Sequence, residues 1–422
     1  MGVKGLKEKG LKVLILGGGG REHALLWKIS KSRRVEYIFI APGNGGTHEN
    51  VDINPLDGKD VLSFCKEKGI DLVVVGPEAP LSKGVVDVLE DEGIFAFGPR
   101  REPALIETSK AFSKELMRKY GIPCPEGEIF SSYDEAESYI RKVGVRVVKA
   151  DGLCGGKGSI VPESLEDAIS ALRRIMIEKV FGDAGDKVVI EERLYGREVS
   201  LIGITDGENI IPLLPAQDYK RALDGDKGPN TGGMGAFSPV PFFTRDLLEE
   251  ALERVLKRAV YALSREGKRY KGALYAGLML TDEGIKVLEF NARFGDPETQ
   301  AILPLMKTDL VDIFDAVIRG EISGMDIEWE DGACVCVVMA SKGYPGKYET
   351  GYEIELGDLE DVIIFHAGTK REGERLLTSG GRVLNVVGKG RDISEAREKV
   401  YKNINKIKFE GAYWRRDIGC GM

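Results

Sequence analysis

Histidine is scarce in this chain and cysteine is scattered. Only His23, His48 and His366 occur in 422 residues, and none of Cys65, Cys124, Cys154, Cys334, Cys336 and Cys420 stands in CxxC spacing. A zinc site therefore lacks its usual donors, and reduced, mostly structural thiols of a cytoplasmic protein are expected. Long apolar runs are missing too. VLIL at 13–16 and LVVV at 72–75 fall far short of the roughly 20 residues that span a bilayer, so no membrane association is expected. The leading MGVKGLKEKG is positively charged, but no apolar stretch of the signal-peptide kind follows it. It reads as a short extension before the first strand. There is no basic excess either. A formal net charge of −8 argues against a general nucleic-acid binder, although a small anionic substrate needs only a local cationic pocket. Repeats and low-complexity tracts are absent.

What is present suggests two to four domains, since 422 residues exceed one typical core. The first third alternates strand and helix, with apolar runs at 12–16, 35–40, 71–75 and 94–97 separated by amphipathic stretches. Such a βαβ series predicts an open parallel sheet with its site at the strand carboxyl ends. A different module begins near Pro125: strands at 128–130 and 145–149, the loop DGLCGGKG at 151–158, a helix capped by Ser164 and a strand at 188–192. Next come a strand at 199–204, a long loop over 217–239, a helix at 246–263 and paired strands at 275–280 and 285–290. The tail from about Gly332 reads as a small α+β domain. The expected boundaries are 1–122, 123–194, 195–330 and 331–422.

VLEFNARFGDPE at 287–298 is the most informative stretch. Alternation along a strand puts Glu289 and Asn291 on one face, their Cα atoms roughly 7 Å apart at about 3.3 Å per residue. Two hard oxygen donors at that spacing can hold Mg²⁺, with Mn²⁺ as a substitute, against a nucleotide's phosphates. The bland alternative is a strand ending in a charged, solvated turn. GGGG at 17–20 after a strand invites a dinucleotide reading, but Glu22 or His23 occupies the third glycine position, and the second strand ends in Ala41-Pro42 without an acidic residue. A phosphate cradle at a helix N-terminus or a purely structural turn remain. Lys149 leads into the 151–158 loop, whose glycines let backbone N–H groups approach phosphate. Because Lys157 precedes Gly158, this is no Walker A loop. Lys110 is a second candidate cation. The backbone around Glu192–Leu194 could offer an adenine edge, and Glu198 could accept from ribose hydroxyls.

In this order, a lysine, KADGLCGGKG at 149–158, EERLYGRE at 191–198 and the ExN strand resemble the ATP-grasp superfamily. Within it, nearly the whole chain resembles the phosphoribosylamine–glycine ligase family. The likeness runs through LILGGGGREH (14–23), APGNGGT (41–47), GPEAPL (76–81), QDYKRALDGDKGPNTGGMG (217–235), FNARFGDPE (290–298), GYPG (343–346), FHAGT (365–369) and GGRVL (380–384). Departures are the extension through Leu11 and Cys154 inside the phosphate loop. The resemblance implies a pre-ATP-grasp parallel sheet, an ATP-grasp lid and core, and a small C-terminal domain. It also implies ATP-dependent joining of glycine to 5-phosphoribosylamine, with a monomer expected and no higher assembly excluded. Lys110 and Lys149 then contact ATP phosphates under Gly155, Gly156 and Gly158, while Glu192, Leu194 and Glu198 serve the nucleoside. Arg293 steadies the transferred phosphoryl or the glycine carboxylate, Asp296 either meets the glycine ammonium or simply caps a turn, and Lys220 and Arg221 add charge near the acyl phosphate. Gly18, Gly19, Gly20, Gly43, Asn44 and Gly45, with Arg382 closing from the last domain, receive the ribosylamine phosphate. Rival readings are another ATP-grasp carboxylate–amine ligase, a nucleotide-binding sensor without turnover, and a dehydrogenase.

Overall fold

Apolar runs in the first hundred residues become the strands Leu11–Gly17, Val35–Pro42, Leu72–Val75 and Phe95–Phe97. All pair in parallel, ordered second, first, third, fourth. The order reverses at the first strand, which puts the crevice for a ligand at its carboxyl end. The helix Gly20–Ile29 starts there and buries Ala24, Leu25 and Ile29, the apolar stripe seen in the sequence. A computed structural model describes residues 5–421. Most of the leading extension, Met1–Leu11, is therefore described. Leu6 is buried and its amide donates to Asp315 Oδ1 at 2.7 Å.

The next unit is a sheet of Gly127–Phe130, Val188–Glu191, Val147–Ala150 and Ser159–Ile160, in that spatial order. The helices Tyr133–Val143 and Leu165–Met176 cover it, each with a serine accepting an amide at its N-cap. Ile140, Val148, Leu172, Ile175, Val188 and Ile190 form a core separate from the rest of the molecule. A unit with its own core can move as a body.

The larger antiparallel sheet runs Ile210–Pro212, Arg197–Thr205, Gly272–Thr281, Gly284–Asn291. Its register shifts near the end: Gly277 faces Glu289 while Leu278 faces Val287, leaving Leu288 as the extra residue of a bulge. Bulges re-aim side chains beside functional sites. The expected helix at 246–263 forms as Arg245–Ala251 and Lys257–Arg265 around a π turn at Leu252–Leu256.

The expected long loop over 217–239 is not structureless. It holds Gln217–Asp218, a hairpin of Arg221–Leu223 with Lys227–Asn230, and Gly235–Ser238. Gly235–Ser238 pairs with Ala333–Ala340, about a hundred residues onward, so local sequence could not reveal the pairing. One sheet, Gln217–Asp218, Gly235–Ser238, Ala333–Ala340, Arg382–Gly390 and Val362–His366, joins the 217–235 block to the tail. The helix Ile393–Ile404 completes that part.

Candidate active site

A cavity of about 750 Å³ opens where these units meet, and side chains from all of them line it. On its floor, the bulged strand presents Glu289 and Asn291 together, as the alternation argument expected. Lys110, the first residue of the helix Lys110–Tyr120, reaches Glu289 Oε2 at 3.1 Å. Its charge is the main reason that the Glu289 carboxyl lies well below the ordinary carboxylate range, burial opposing it. Lys149, next to last in the strand Val147–Ala150, donates to the Leu288 carbonyl at 2.9 Å and pairs with Glu191. Above them hangs the glycine loop: Gly155 and Gly156 have φ of +57° and +77°, which glycine adopts without a Cβ penalty. Lys157 reaches across to the Pro345 carbonyl at 3.0 Å.

At one end, the strand Val188–Glu191 gives way to a connector carrying Glu192 and Leu194, and both line the cavity. Glu192 Oε1 accepts from the Glu126 amide at 3.0 Å and Lys286 Nζ at 3.2 Å. Glu198, at the start of the next strand, pairs with Lys220 at 3.0 Å. Burial works against the Lys220 charge, yet Glu198 and Asp218 raise its pKa well above the usual lysine value.

The other end is guanidinium-rich. Arg293 donates through Nε to Glu78 Oε2 (2.9 Å), and its Nη2 lies 3.1 Å from Glu107 Oε1. Burial pushes the Glu78 carboxyl up, but Arg293 and Arg21 overcome that and hold it down at about 2. Arg382 Nη1 donates to the carbonyls of Gly232 (2.7 Å) and Asp296 (2.9 Å) and lies 3.3 Å from Asp296 Oδ1. Asp296 also accepts from Gln300 at 2.7 Å. Opposite, the buried Glu298 accepts from Ser200 Oγ at 2.9 Å, and Ser200 shares a 2.8 Å bond with Tyr275. Between them, burial and then Glu298, Glu198 and Glu289 push the Asp218 carboxyl up to about 8 against the pull of Lys220.

Fifteen sequence-expected residues thus line one cavity: Lys110, Lys149, Gly155, Gly156, Gly158, Glu192, Leu194, Glu198, Lys220, Arg221, Glu289, Asn291, Arg293, Asp296 and Arg382. The glycine turns lie behind that wall. A Cβ on Gly18 would come within 2.4 Å of the Gly43 carbonyl oxygen. Asn44 is buried, donating to the Gly18 and His366 carbonyls at 3.0 and 2.9 Å, and the Gly45 amide donates to Thr369. A Cβ on Gly19 would come within 3.3 Å of Asp296 Oδ2, and one on Gly20 within 2.6 Å of Gln300 Nε2. Sequence reasoning gave no role to Arg21, Glu78, Glu107, Glu191, Asp218, Ser200 or Tyr275. Arg21, Glu78 and Asp218 sit inside the motifs GGGGREH, GPEAPL and QDYK, where neighbouring residues drew the assignment instead.

The donor set suits a hard cation. Glu289 is kept ionised and Asn291 adds a neutral oxygen beside it. Among the described residues, no group of three His, Cys, Asp or Glu side chains is arranged to hold a metal. Two protein oxygens completed by phosphate and water match Mg²⁺, which seldom sits in an all-protein cage.

Three family profiles match in succession: Phosphoribosylglycinamide synthetase, N domain, over 11–107; its ATP-grasp (A) domain over 108–299; and its C domain over 334–421. A phosphoribosylamine–glycine ligase of Caldanaerobacter subterraneus subsp. tengcongensis is 48% identical over 416 residues, covering 97% of this chain and 100% of the relative. The trifunctional purine biosynthetic protein adenosine-3 of Homo sapiens is 47% identical over 419 residues, covering 97% of this chain and 42% of the relative. A crystal structure of phosphoribosylamine–glycine ligase from Thermotoga maritima superposes with a TM-score of 0.84 at 37% identity, covering 97% of this chain and 100% of that one. The biotin carboxylase domain of 2-oxoglutarate carboxylase from Hydrogenobacter thermophilus, solved with MgADP, reaches a TM-score of 0.73 at 16% identity over 96% of this chain and 92% of that one, a likeness of fold alone.

Proposed function

The chain belongs to the phosphoribosylglycinamide synthetase family, and on that premise we propose that it joins glycine to 5-phosphoribosylamine at the expense of ATP. The products are glycinamide ribonucleotide, ADP and phosphate. The observation that carries this reading is the convergence, in one cavity, of Glu289 and Asn291, Lys110 and Lys149, and the glycine loop, each from a separate segment.

A carboxylate is a poor acyl donor, so a glycine oxygen first takes the terminal phosphoryl group of ATP and the bond to ADP breaks. The ribosylamine nitrogen then forms the C–N bond, loses a proton and expels phosphate. Charge gathers on oxygen in both steps, so fixed cations matter more than a strong base. Bound Mg²⁺ would neutralise phosphate charge from Glu289 and Asn291. Lys110 and Lys149 hold the phosphates that are not transferred. The connector at 192–194 seats the adenine, with Glu198 at the ribose. Lys220 supplies charge beside the acyl phosphate. Arg293, Asp296 and Arg382 form the far wall, where glycine and the ribosylamine meet. Gly18–Gly20 and Gly43–Gly45 shape the ribosylamine phosphate end through their backbone. The unit over 123–194 acts as a lid between the parallel sheet of 1–122 and the core of 195–330, with 331–422 closing the far side. Lid closure excludes the water that would hydrolyse the acyl phosphate.

Mn²⁺ can stand in for Mg²⁺ in this reading, and the enzyme works in the cytoplasm as a monomer. Among the described residues, no helix is long and apolar enough to cross a membrane. A panel of carboxylates and amines scored for ADP release tests the reading. Release should require glycine and phosphoribosylamine together; release with a different pair identifies another carboxylate–amine ligase.

A further inference from the structure

Glu107 has no place in the chemistry above, yet it is 4% exposed and bears on the metal strand at two points. It sits on the short helix Leu105–Thr108, just before Lys110. Its Oε2 accepts from the Ala292 amide at 2.6 Å, and its Oε1 lies 3.1 Å from Arg293 Nη2. Ala292 and Arg293 directly follow Asn291, so one carboxylate grips the chain where it leaves the candidate metal ligands.

The Arg293 guanidinium is committed on all its edges. Nε goes to Glu78, Nη1 to the Phe294 carbonyl at 3.1 Å, and Nη2 to both Glu107 and Asn291 Oδ1, the last at 3.3 Å. A guanidinium is planar and only donates. Held by Glu78 and Glu107, it turns a fixed N–H toward the Asn291 side chain. Only the oxygen of that amide can accept there, and its second lone pair stays open. Without the donor, the amide can turn over and offer its NH₂ group, which repels a cation. Partners behind a ligand orient it in this way at many metal sites.

We propose that Glu107 is the positioning residue of this site: by holding Ala292 and Arg293, it fixes the oxygen-forward orientation of Asn291 and so sets the affinity for the divalent cation. This rests on the reading that Glu289 and Asn291 carry a cation with a nucleotide. The competing role for Glu107 is to neutralise a buried arginine and nothing more.

The test uses the full chain with Glu107→Gln and Glu107→Asp. ADP binding is measured with chelator and with MgCl₂, and the Mg²⁺ concentration for half-maximal ADP release is measured in turnover. In Glu107→Gln, metal-free ADP binding should match the parent, while the Mg²⁺ requirement rises roughly 10- to 100-fold, the range for lost second-layer partners. Glu107→Asp should recover part of that. A folded Glu107→Gln protein with the parental Mg²⁺ requirement overturns the proposal. So does an equal loss of ADP binding with and without metal, which marks a purely structural role. Should Glu107→Gln fail to fold, Arg293→Lys decides. It exchanges the fixed, planar donor to Asn291 for a freely rotating ammonium but leaves Glu107 its bond to Ala292, and an unchanged Mg²⁺ requirement there overturns the proposal equally. If glycine and phosphoribosylamine give no turnover but Mg²⁺-dependent ADP binding shifts as described, the substrate reading fails and Glu107 keeps its role.

Discussion

Replacing Glu191 by glutamine should loosen the lid selectively. Glu191 is 3% exposed and ends an interior strand of the lid sheet. Its Oε2 lies 2.7 Å from Lys114 Nζ, and its Oε1 pairs with Lys149. Burial alone would raise its pKa, but Lys149 and Lys114 reverse the sign and hold the carboxyl below its ordinary value. Glutamine keeps the volume and removes the charge, so two buried ammonium groups lose their counterion. Breaking one partner out of a buried ion pair costs about 3–5 kcal/mol. Lys114 keeps the Pro125 carbonyl at 2.7 Å and Lys149 keeps the Leu288 carbonyl at 2.9 Å, which places the cost near the lower end. About 3 kcal/mol is a factor of roughly 10² in an opening equilibrium. Native-state hydrogen exchange reads this directly. Amides of Val147–Ala150 and Val188–Glu191 should exchange about 10²-fold faster, while those of Leu11–Gly17 keep the parental rate. The sign with pH follows from the lowered pKa. Stabilisation by the ionised carboxylate is present above the unfolded value of about 4.3 and is lost as pH falls through the folded one, so parent and variant converge in acid. Unchanged lid exchange, or equal acceleration in the N-terminal sheet, would refute the reasoning.

Glu289→Gln should stay folded but melt somewhat lower at neutral pH, because Lys110 loses the carboxylate that pairs with it, while ADP release drops by about 10²-fold or more. Turnover at the parental rate removes Glu289 from its role. Gly18→Ala puts a Cβ 2.4 Å from the Gly43 oxygen, an overpacking that costs about 1–3 kcal/mol and should lower the melting temperature; an unshifted transition contradicts the close approach of the two turns. Glu78, held down at about 2 from 4.5 by Arg293 and Arg21 against burial, stabilises the fold fully above about 4.5. That contribution fades as pH falls toward 2, so the melting-temperature gap between parent and Glu78→Gln should close over the same interval. A constant gap would mean that the ion pair contributes nothing.

Much of this molecule was legible in its residues, and the parts that were not share a physical cause. Period-two and period-3.6 patterns mark the parallel strands and the helix Gly20–Ile29 because each buries one regular stripe. Glu289 and Asn291 could be read because their relation lies within one strand. The strand Gly235–Ser238 could not, since its partner Ala333–Ala340 is remote in sequence. The helix Glu78–Ser82 was hidden by Pro77 and Pro80, which suggest a turn but also fit a helix's first positions. Glu107 looks like any surface acid in the sequence, and Glu191 and Asp218 stand in quoted motifs whose neighbouring residues drew the assignment. Only folding reveals that Glu107 meets Arg293 and that Glu191 meets two lysines. The packing of the glycine turns was equally hidden, since Gly18 lies against Gly43, and Asn44 and Gly45 bond to His366 and Thr369, all remote in sequence.

The glycyl phosphate is the centre of the account, and oxygen labelling reaches it most directly. Glycine carrying ¹⁸O in its carboxylate is incubated with the enzyme, ATP, Mg²⁺ and phosphoribosylamine, and the released phosphate is analysed by mass spectrometry. One labelled oxygen should pass from glycine into each phosphate formed. Phosphate that forms at the parental rate with no label would show that the terminal phosphoryl never reached the amino acid, and the proposed ligation would fall with it.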